Sequence, residues 1–154
     1  MKFQGMTSRV IATLVGGTRG VSPVLSISGA WGSPGNLIPV IISDEGTVKK
    51  ADISSNWYNY YEKKWANAVI LKNESTTYNN NDEIPEENIE SYFVWIPRYK
   101  YKLWNTGTAI KNVHSIDIVF ESKDTAPSIG SNNDEYLTHP AFTTLGVNGI
   151  WVGK

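Results

Sequence analysis

The sequence predicts a mainly β domain, α+β at most, built from aromatic-rich antiparallel hairpins. Three observations predict this class: residues 91–104 alternate as a strand does, residues 37–51 have the pattern of a hairpin, and aromatic side chains are concentrated in residues 57–65. Aromatic and β-branched residues are enriched in strands because they pack well on a pleated, half-buried surface. We therefore expect helices to be few and short.

Residues 91–104 form the stretch around which the rest of the chain is organised. The first half is apolar on both faces, which predicts a strand buried on two sides. The second half alternates between basic residues and aromatic or aliphatic ones, which predicts a strand with one solvent-exposed face. Pro97 separates the halves, and because proline cannot donate to a ladder it predicts a bulge, a bend or an edge position. The two faces of the second half are Tyr99, Tyr101 and Leu103 on one side and Arg98, Lys100 and Lys102 on the other.

Two hairpins are predicted before this stretch. Residues 37–42 and 47–51 are strand-like and flank a turn that ends at Gly46. Residues 57–71 predict a second hairpin of aromatic strands, with a helix over 61–71 as the alternative. The order along the chain therefore favours neighbouring antiparallel strands.

The remaining elements are shorter. Pro85 followed by two glutamates predicts a single helical turn before the central stretch. Residues 115–120 predict a strand, residues 139–142 a packing corner, and residues 149–154 the start of a last strand. The polar residues between these segments predict loops.

We expect two regions along the chain. Residues 1–36 predict an irregular Gly/Ser-rich arm, since glycine and proline at this density break regular structure. Residues 37–154 predict a β-rich domain that is incomplete at its C-terminal end, because the last strand pattern has no turn or partner after it. For the apolar residues 10–15, a short strand or loose arm is favoured over an export signal.

Composition excludes several function classes. With 14 basic and 15 acidic side chains the net charge is −1, so the electrostatic signature of a nucleic-acid binder is missing. No cysteine is present, which removes disulfides, thiolate metal sites and cysteine chemistry. No apolar run approaches the length of about 18 residues that predicts a membrane span, so we expect no membrane partner.

No residue pattern predicts catalysis, a metal site or a cofactor. His114 and His139 are the only histidines and are not at metal-ligand spacing. His139 stands before a proline and is expected to pack or to cap a turn. No Gly-x-Ser-x-Gly elbow occurs, and the loops at 79–83 and 132–135 lack the spacing of a calcium loop. We therefore predict a protein that is not an enzyme and needs no cofactor.

The aromatic series in residues 57–65 is the best candidate for ligand contact. Exposed flat rings stack on sugar faces or fill a partner's pocket. The competing interpretation is that alternate rings form the buried face of a hairpin, which leaves the other set outside. The predicted ligand-binding residues are Trp57, Tyr58, Tyr60, Arg98 and Lys100.

Three segments carry a resemblance to a known family: Tyr92-Phe-Val-Trp-Ile-Pro97, His139-Pro-Ala-Phe142 and Gly149-Ile-Trp-Val-Gly-Lys154. Together they resemble the first part of a formylglycine-generating-enzyme-like domain, the sulfatase-modifying-factor family with a C-type-lectin-like fold. The version here is similar to uncharacterised proteins of gut Firmicutes and their phages. In the enzymes of that family catalysis rests on cysteines and copper or calcium sites in the later part of the domain. That part has no counterpart here, so the resemblance assigns no catalytic residue.

These observations favour a non-enzymatic structural or receptor-binding component of a phage or bacterial surface assembly. The alternatives are a carbohydrate-binding module that uses exposed aromatics and a fragment of a formylglycine-generating-type enzyme. Expected partners are other protein subunits, with a homo-oligomer among the options, and a glycan or cell-surface ligand. The expected location is a virion or the cell surface, and a cytoplasmic location stays open.

Overall fold

A computed structural model describes residues 10–16, 22–25, 37–55, 57–103, 114–130 and 134–154. It confirms a mainly β fold, with one α-helix, α1 (Pro140–Leu145), in the part of the chain that is described. The strands in chain order are β1 (Val10–Gly16), β2 (Ile38–Ile42), β3 (Val48–Lys50), β4 (Asn67–Leu71), β5 (Ile89–Pro97), β6 (Tyr99–Leu103), β7 (His114–Phe120), β8 (Leu137–Thr138) and β9 (Gly149–Gly153).

The chain forms two compact units. Unit 1 comprises Met1–Val21 and Pro97–Asn148, and unit 2 comprises Ser22–Ile96 and Gly149–Lys154. The predicted boundary at residue 36 lies outside the described residues and stays a prediction. Most of the predicted arm, including Trp31, lies outside the described residues.

The sheet of unit 1 has the strand order β1-β7-β6-β8. β1 runs parallel to β7, whereas β7 with β6 and β6 with β8 are antiparallel. Of the two structures predicted for residues 10–15, a short strand or a loose arm, the segment Val10–Gly16 forms the strand. Its partner lies about a hundred residues along the chain, and such a distant pairing leaves no local signal in the sequence.

The sheet of unit 2 has the order β3-β2-β4-β5-β9. The predicted first hairpin is confirmed: β2 and β3 pair antiparallel, and the turn closes with Ser43 N donating to Thr47 O at 3.0 Å. One core cluster on this sheet contains fully buried Val40 and Val69, packed with Leu71, Ile84 and Ile89. The short helical turn predicted before the central stretch is confirmed as a 3₁₀ turn over Glu86–Asn88.

Pro97 ends one strand, as predicted, and Arg98 separates it from the next. β5 belongs to the sheet of unit 2 and β6 to the sheet of unit 1. The single ribbon predicted over 91–104 is therefore two strands in two different sheets. The missing donor at proline is the physical reason that a ladder stops here.

The predicted second hairpin over 57–71 is only partly present. β4 forms its second half, but the first half is a tight turn that contains a 3₁₀ segment, Tyr60–Glu62. Asn59 and Lys64 form one isolated antiparallel bridge across this turn. The Asn59 side chain accepts a hydrogen bond from Tyr61 N at 3.2 Å, a cap that competes with the aromatic preference for strand.

The packing corner predicted at 139–142 is the start of α1. His139 caps the helix, as predicted, because its Nδ1 accepts from Ala141 N at 3.3 Å. Pro140 occupies the first helical turn, and Gly146 ends the helix in the left-handed conformation (φ 62°). Phe142 is thereby fixed in the core of unit 1, with 1% of its surface exposed.

β9, the predicted last strand, is confirmed next to β5. The close approach of β9 to β5 requires glycine at position 149, since a Cβ there would lie 2.3 Å from Trp95 Cζ2 and 2.7 Å from Ile96 O. This close contact brings Trp151 edge-on to Trp95, with ring centroids 5.4 Å apart. The aromatic side chains of unit 2 therefore converge from distant parts of the sequence.

Candidate functional site

A cleft of about 620 Å³ opens in unit 2. This volume lies within the roughly 300–1,000 Å³ that is typical of small-molecule sites. Its walls combine apolar side chains with amide, carboxylate and ammonium groups. The lining residues are Ile41, Ile42, Asp44, Trp57, Lys63, Lys64, Trp65, Asn67, Val94, Ile96 and Lys154.

Two tryptophans line this cleft, and they differ in exposure. Trp57 is buried, and its Nε1 donates to Val40 O at 3.3 Å and Asn67 O at 3.1 Å. Trp65 has 43% of its surface exposed. Trp57 therefore connects β2 and β4 in the wall of the cleft, while Trp65 is partly exposed to solvent.

The two other predicted aromatic contacts lie beside the cleft and do not line it. Tyr58 is half-buried, and its hydroxyl donates to Ser22 Oγ at 3.3 Å. Tyr60 is buried, with ring centroids 5.2 Å from Tyr58 and 5.2 Å from Trp65. Tyr60 is thus the support on which the exposed Trp65 ring rests edge to face.

Burial raises the pKa of the Tyr60 phenol, with the nearby Tyr58 as a smaller cause. The phenolate form is disfavoured because desolvation penalises charge. An unfolded chain releases this proton near the usual pKa of about 10, so above that pH the folded state binds more protons than the unfolded state. Tyr60 therefore contributes stability that is present below about pH 10 and is lost as pH rises beyond it.

We predict that Tyr60→Phe makes the alkaline loss of stability less steep than in the wild type. The measurement is urea unfolding at a series of pH values from about 8 to 12, which brackets the ordinary phenol pKa. The matched control is Tyr61→Phe, which removes a hydroxyl from an exposed ring in the same turn. An unchanged slope for Tyr60→Phe would show that this phenol ionises alike in both states.

The polar groups of the cleft are connected by hydrogen bonds. Lys154 Nζ donates to Asn67 Oδ1 at 2.6 Å, and Asn67 Nδ2 donates to Trp65 O at 3.0 Å. Asn67 thus links an ammonium group to the backbone of the exposed tryptophan. Lys64 Nζ lies 2.8 Å from Glu62 Oε2 in an exposed pair.

The two predicted basic contacts, Arg98 and Lys100, belong to unit 1 rather than to the unit of this cleft. Arg98 is only 3% exposed and forms an ion pair with Glu121. Lys100 is half-buried, and its Nζ lies 5.1 Å from the centroid of the Tyr136 ring, a cation–π distance. Strand alternation predicts that Tyr60 and Arg98 are exposed, whereas both are buried.

Sequence reasoning missed the polar half of the cleft. Asp44, Asn67 and Lys154 lie far apart in the chain and line one cleft because β2, β4 and β9, in or next to which they lie, share one sheet. One local signal was present: Trp65 follows directly after Lys63 and Lys64, so an exposed turn could have been inferred at that point.

The described residues contain no group of three or more His, Cys, Asp or Glu side chains placed to hold a metal ion. In the loop at 79–83, Asp82 Oδ2 instead accepts from Asn79 N at 2.8 Å. Among the helices that the structure describes, none has the length and apolar character to cross a bilayer.

Comparison with known proteins finds no matching family model, and no curated protein or solved structure is significantly similar to this chain. The resemblance to formylglycine-generating-enzyme-like domains therefore stays a prediction.

Proposed function

We propose that this protein is a non-enzymatic binding component of a phage or bacterial surface assembly, such as a tail fibre, and that the cleft of unit 2 takes a surface glycan. The lectin-like ancestry and the Firmicutes or phage origin implied by the resemblance belong to the same proposal. The observation that carries it is the exposed Trp65 ring at the wall of a cleft that also contains hydrogen-bonding groups.

Trp65 has the properties of a stacking platform. Trp65 is 43% exposed, and its ring lies edge to face with the ring of buried Tyr60, with centroids 5.2 Å apart. A supported aromatic ring loses little conformational entropy on binding and offers a large apolar face, as in interface anchors. The CH-rich face of a sugar ring is a suitable partner for such a surface.

The cleft supplies polar partners close to this platform. Asn67 offers an amide, Asp44 a carboxylate and Lys154 an ammonium group. Small-molecule sites combine apolar walls with a few polar groups that fix orientation. Sugar hydroxyls, which both donate and accept, are satisfied by this mixture of groups.

We predict that Trp65→Ala weakens glycan binding by about tenfold or more, the loss typical of an aromatic anchor. The measurement is a screen of the full chain on a glycan array, followed by titration calorimetry with the strongest glycan bound. Tyr61→Ala is the matched control, because Tyr61 is 56% exposed in the same turn but does not line the cleft.

The screen has outcomes that contradict the proposal. Absence of any glycan binding, or binding that Trp65→Ala leaves intact, overturns the assignment of this cleft. Turnover of a substrate by the purified chain favours the enzymatic alternative.

A further inference from the structure

The balance of charges in the cleft points to a narrower ligand class, on the premise that the cleft binds glycans as proposed above. We infer that its ligand is an acidic saccharide, with a sugar ring on Trp65 and a carboxylate held by lysine ammonium groups. Among the side chains of the lining residues, three are lysines, Lys63, Lys64 and Lys154, and one is a carboxylate, Asp44.

The ion pairs among the described residues do not neutralise this excess of positive charge. Lys64 is paired with Glu62 at 2.8 Å, whereas neither Lys63 nor Lys154 lies in an ion pair with a described carboxylate. The bond from Lys154 Nζ goes to the neutral amide oxygen of Asn67 at 2.6 Å, which orients the ammonium group without neutralising it. Charge-assisted hydrogen bonds to a ligand carboxylate would use this group.

The backbone at Lys63 adds an independent observation. Lys63 has φ 60° and ψ 20°, the left-handed conformation that favours glycine or asparagine. Its N–H donates to Tyr60 O at 3.1 Å and closes the 3₁₀ turn, an end position for which glycine carries no steric cost. Lysine therefore stands at a strained position with its side chain on the cleft, and strain of this kind concentrates at functional sites.

The apolar wall explains why the ligand is a saccharide rather than a simple anion. Trp65, Val94 and Ile96 line the same cleft as the lysines. A small inorganic anion would leave these surfaces in water, whereas a uronic acid has both a CH face and a carboxylate. The apolar wall thus matches the CH face of one uronic acid residue, and the lysines match its carboxylate.

Titration calorimetry of the full chain tests the inference with an oligouronate and with its carboxyl-reduced neutral counterpart. We expect the oligouronate to bind about tenfold more tightly in low salt, as two close charge pairs would give. Its advantage should fall as NaCl rises from about 0.05 to 0.5 M, because added salt shortens the screening length.

Variants separate a ligand contact from a structural role. Lys63→Gly should weaken oligouronate binding about threefold to fivefold and leave binding of the neutral saccharide unchanged. Lys154→Gln, which also removes a polar partner of the sugar hydroxyls, should weaken binding of both saccharides and that of the oligouronate more. Because Lys63→Gly also relieves the left-handed strain, its thermal midpoint should stay equal or rise. Lys72→Gln is the control, since Lys72 is exposed in the same unit but lies outside the cleft.

The results distinguish this inference from the proposed function. Equal affinity for the two saccharides, or loss of neutral binding in Lys63→Gly, overturns the acidic specificity while the glycan site stands. Binding of neither saccharide overturns the acidic inference. A glycan array without any bound glycan, or glycan binding that Trp65→Ala leaves intact, overturns the proposed function as well. A sulfated saccharide that binds more tightly than the oligouronate overturns the choice of carboxylate.

Discussion

Arg98→Met is expected to lower the free energy of unfolding by about 3–5 kcal/mol, because it leaves the buried carboxylate of Glu121 without its charge partner. Arg98 and Glu121 are 3% and 7% exposed, and Arg98 Nε donates to Glu121 Oε1 at 3.0 Å. Arg98 Nη2 also donates to Thr125 O at 3.2 Å, and the Thr138 hydroxyl donates to Glu121 Oε1 at 2.8 Å. Urea unfolding monitored by circular dichroism measures the loss.

Two further variants show whether the unpaired charge is the cause. The double variant Arg98→Met with Glu121→Leu should recover most of the stability, since replacing both members of a buried pair by apolar groups is often neutral. Lys102→Met breaks a looser pair between β6 and β7, with Lys102 Nζ 3.9 Å from Asp117 Oδ2, and should cost only about 1 kcal/mol. A single-variant loss for Arg98→Met that is no larger than that of Lys102→Met would contradict this account.

The second large effect is expected at the core of unit 1. Phe142→Ala should lower the free energy of unfolding by about 3–5 kcal/mol, the usual cost of removing a buried phenylalanine. The Phe142 ring is 1% exposed and packs edge to face against Tyr99, with centroids 5.3 Å apart, and against His139 at 5.7 Å. Removal therefore opens a cavity beneath two aromatic rings.

Leu145→Ala is the matched control for Phe142→Ala. Leu145 lies on the same short helix but is 61% exposed, so its truncation should change stability by about 0.5 kcal/mol or less. Urea unfolding compares the two variants. Equal losses at the two positions would mean that helix propensity, rather than core packing, dominates at α1.

Local patterns predicted much of the fold. The hairpin of β2 and β3, the break at Pro97, the strand over residues 115–120 and the cap by His139 all follow from turn residues, alternation or proline geometry. Each of these features is decided within a few residues of the chain. Such features are therefore readable from sequence.

Features that depend on distant partners could not be predicted. Alternation placed Arg98 on a wet face, but Glu121, 23 residues later, accepts its hydrogen bond in the interior. Strand propensity predicted a ribbon at residue 60, whereas the Asn59 cap and the left-handed Lys63 close a turn there. Tertiary contacts and caps overrode intrinsic preference at both positions.

The candidate site followed the same rule. Trp57 belonged to the predicted site and does line the cleft, but the polar partners of the cleft are brought together only by the order of strands in the sheet. Asn67 illustrates this, because Lys154, its bonding partner, lies 87 positions away in sequence. No spacing rule connects residues at that distance.

The most direct test of the central claim is a two-dimensional NMR titration of the full chain with an oligouronate. We predict that the largest shifts occur at the Trp65 indole N–H, the Asn67 side-chain amide and the Lys63 backbone amide, all at the cleft. Small or absent shifts are expected at Tyr136 and Lys100 in unit 1. Shifts that concentrate in unit 1, or binding by calorimetry without change at Trp65, would contradict the assignment of this cleft as the binding site.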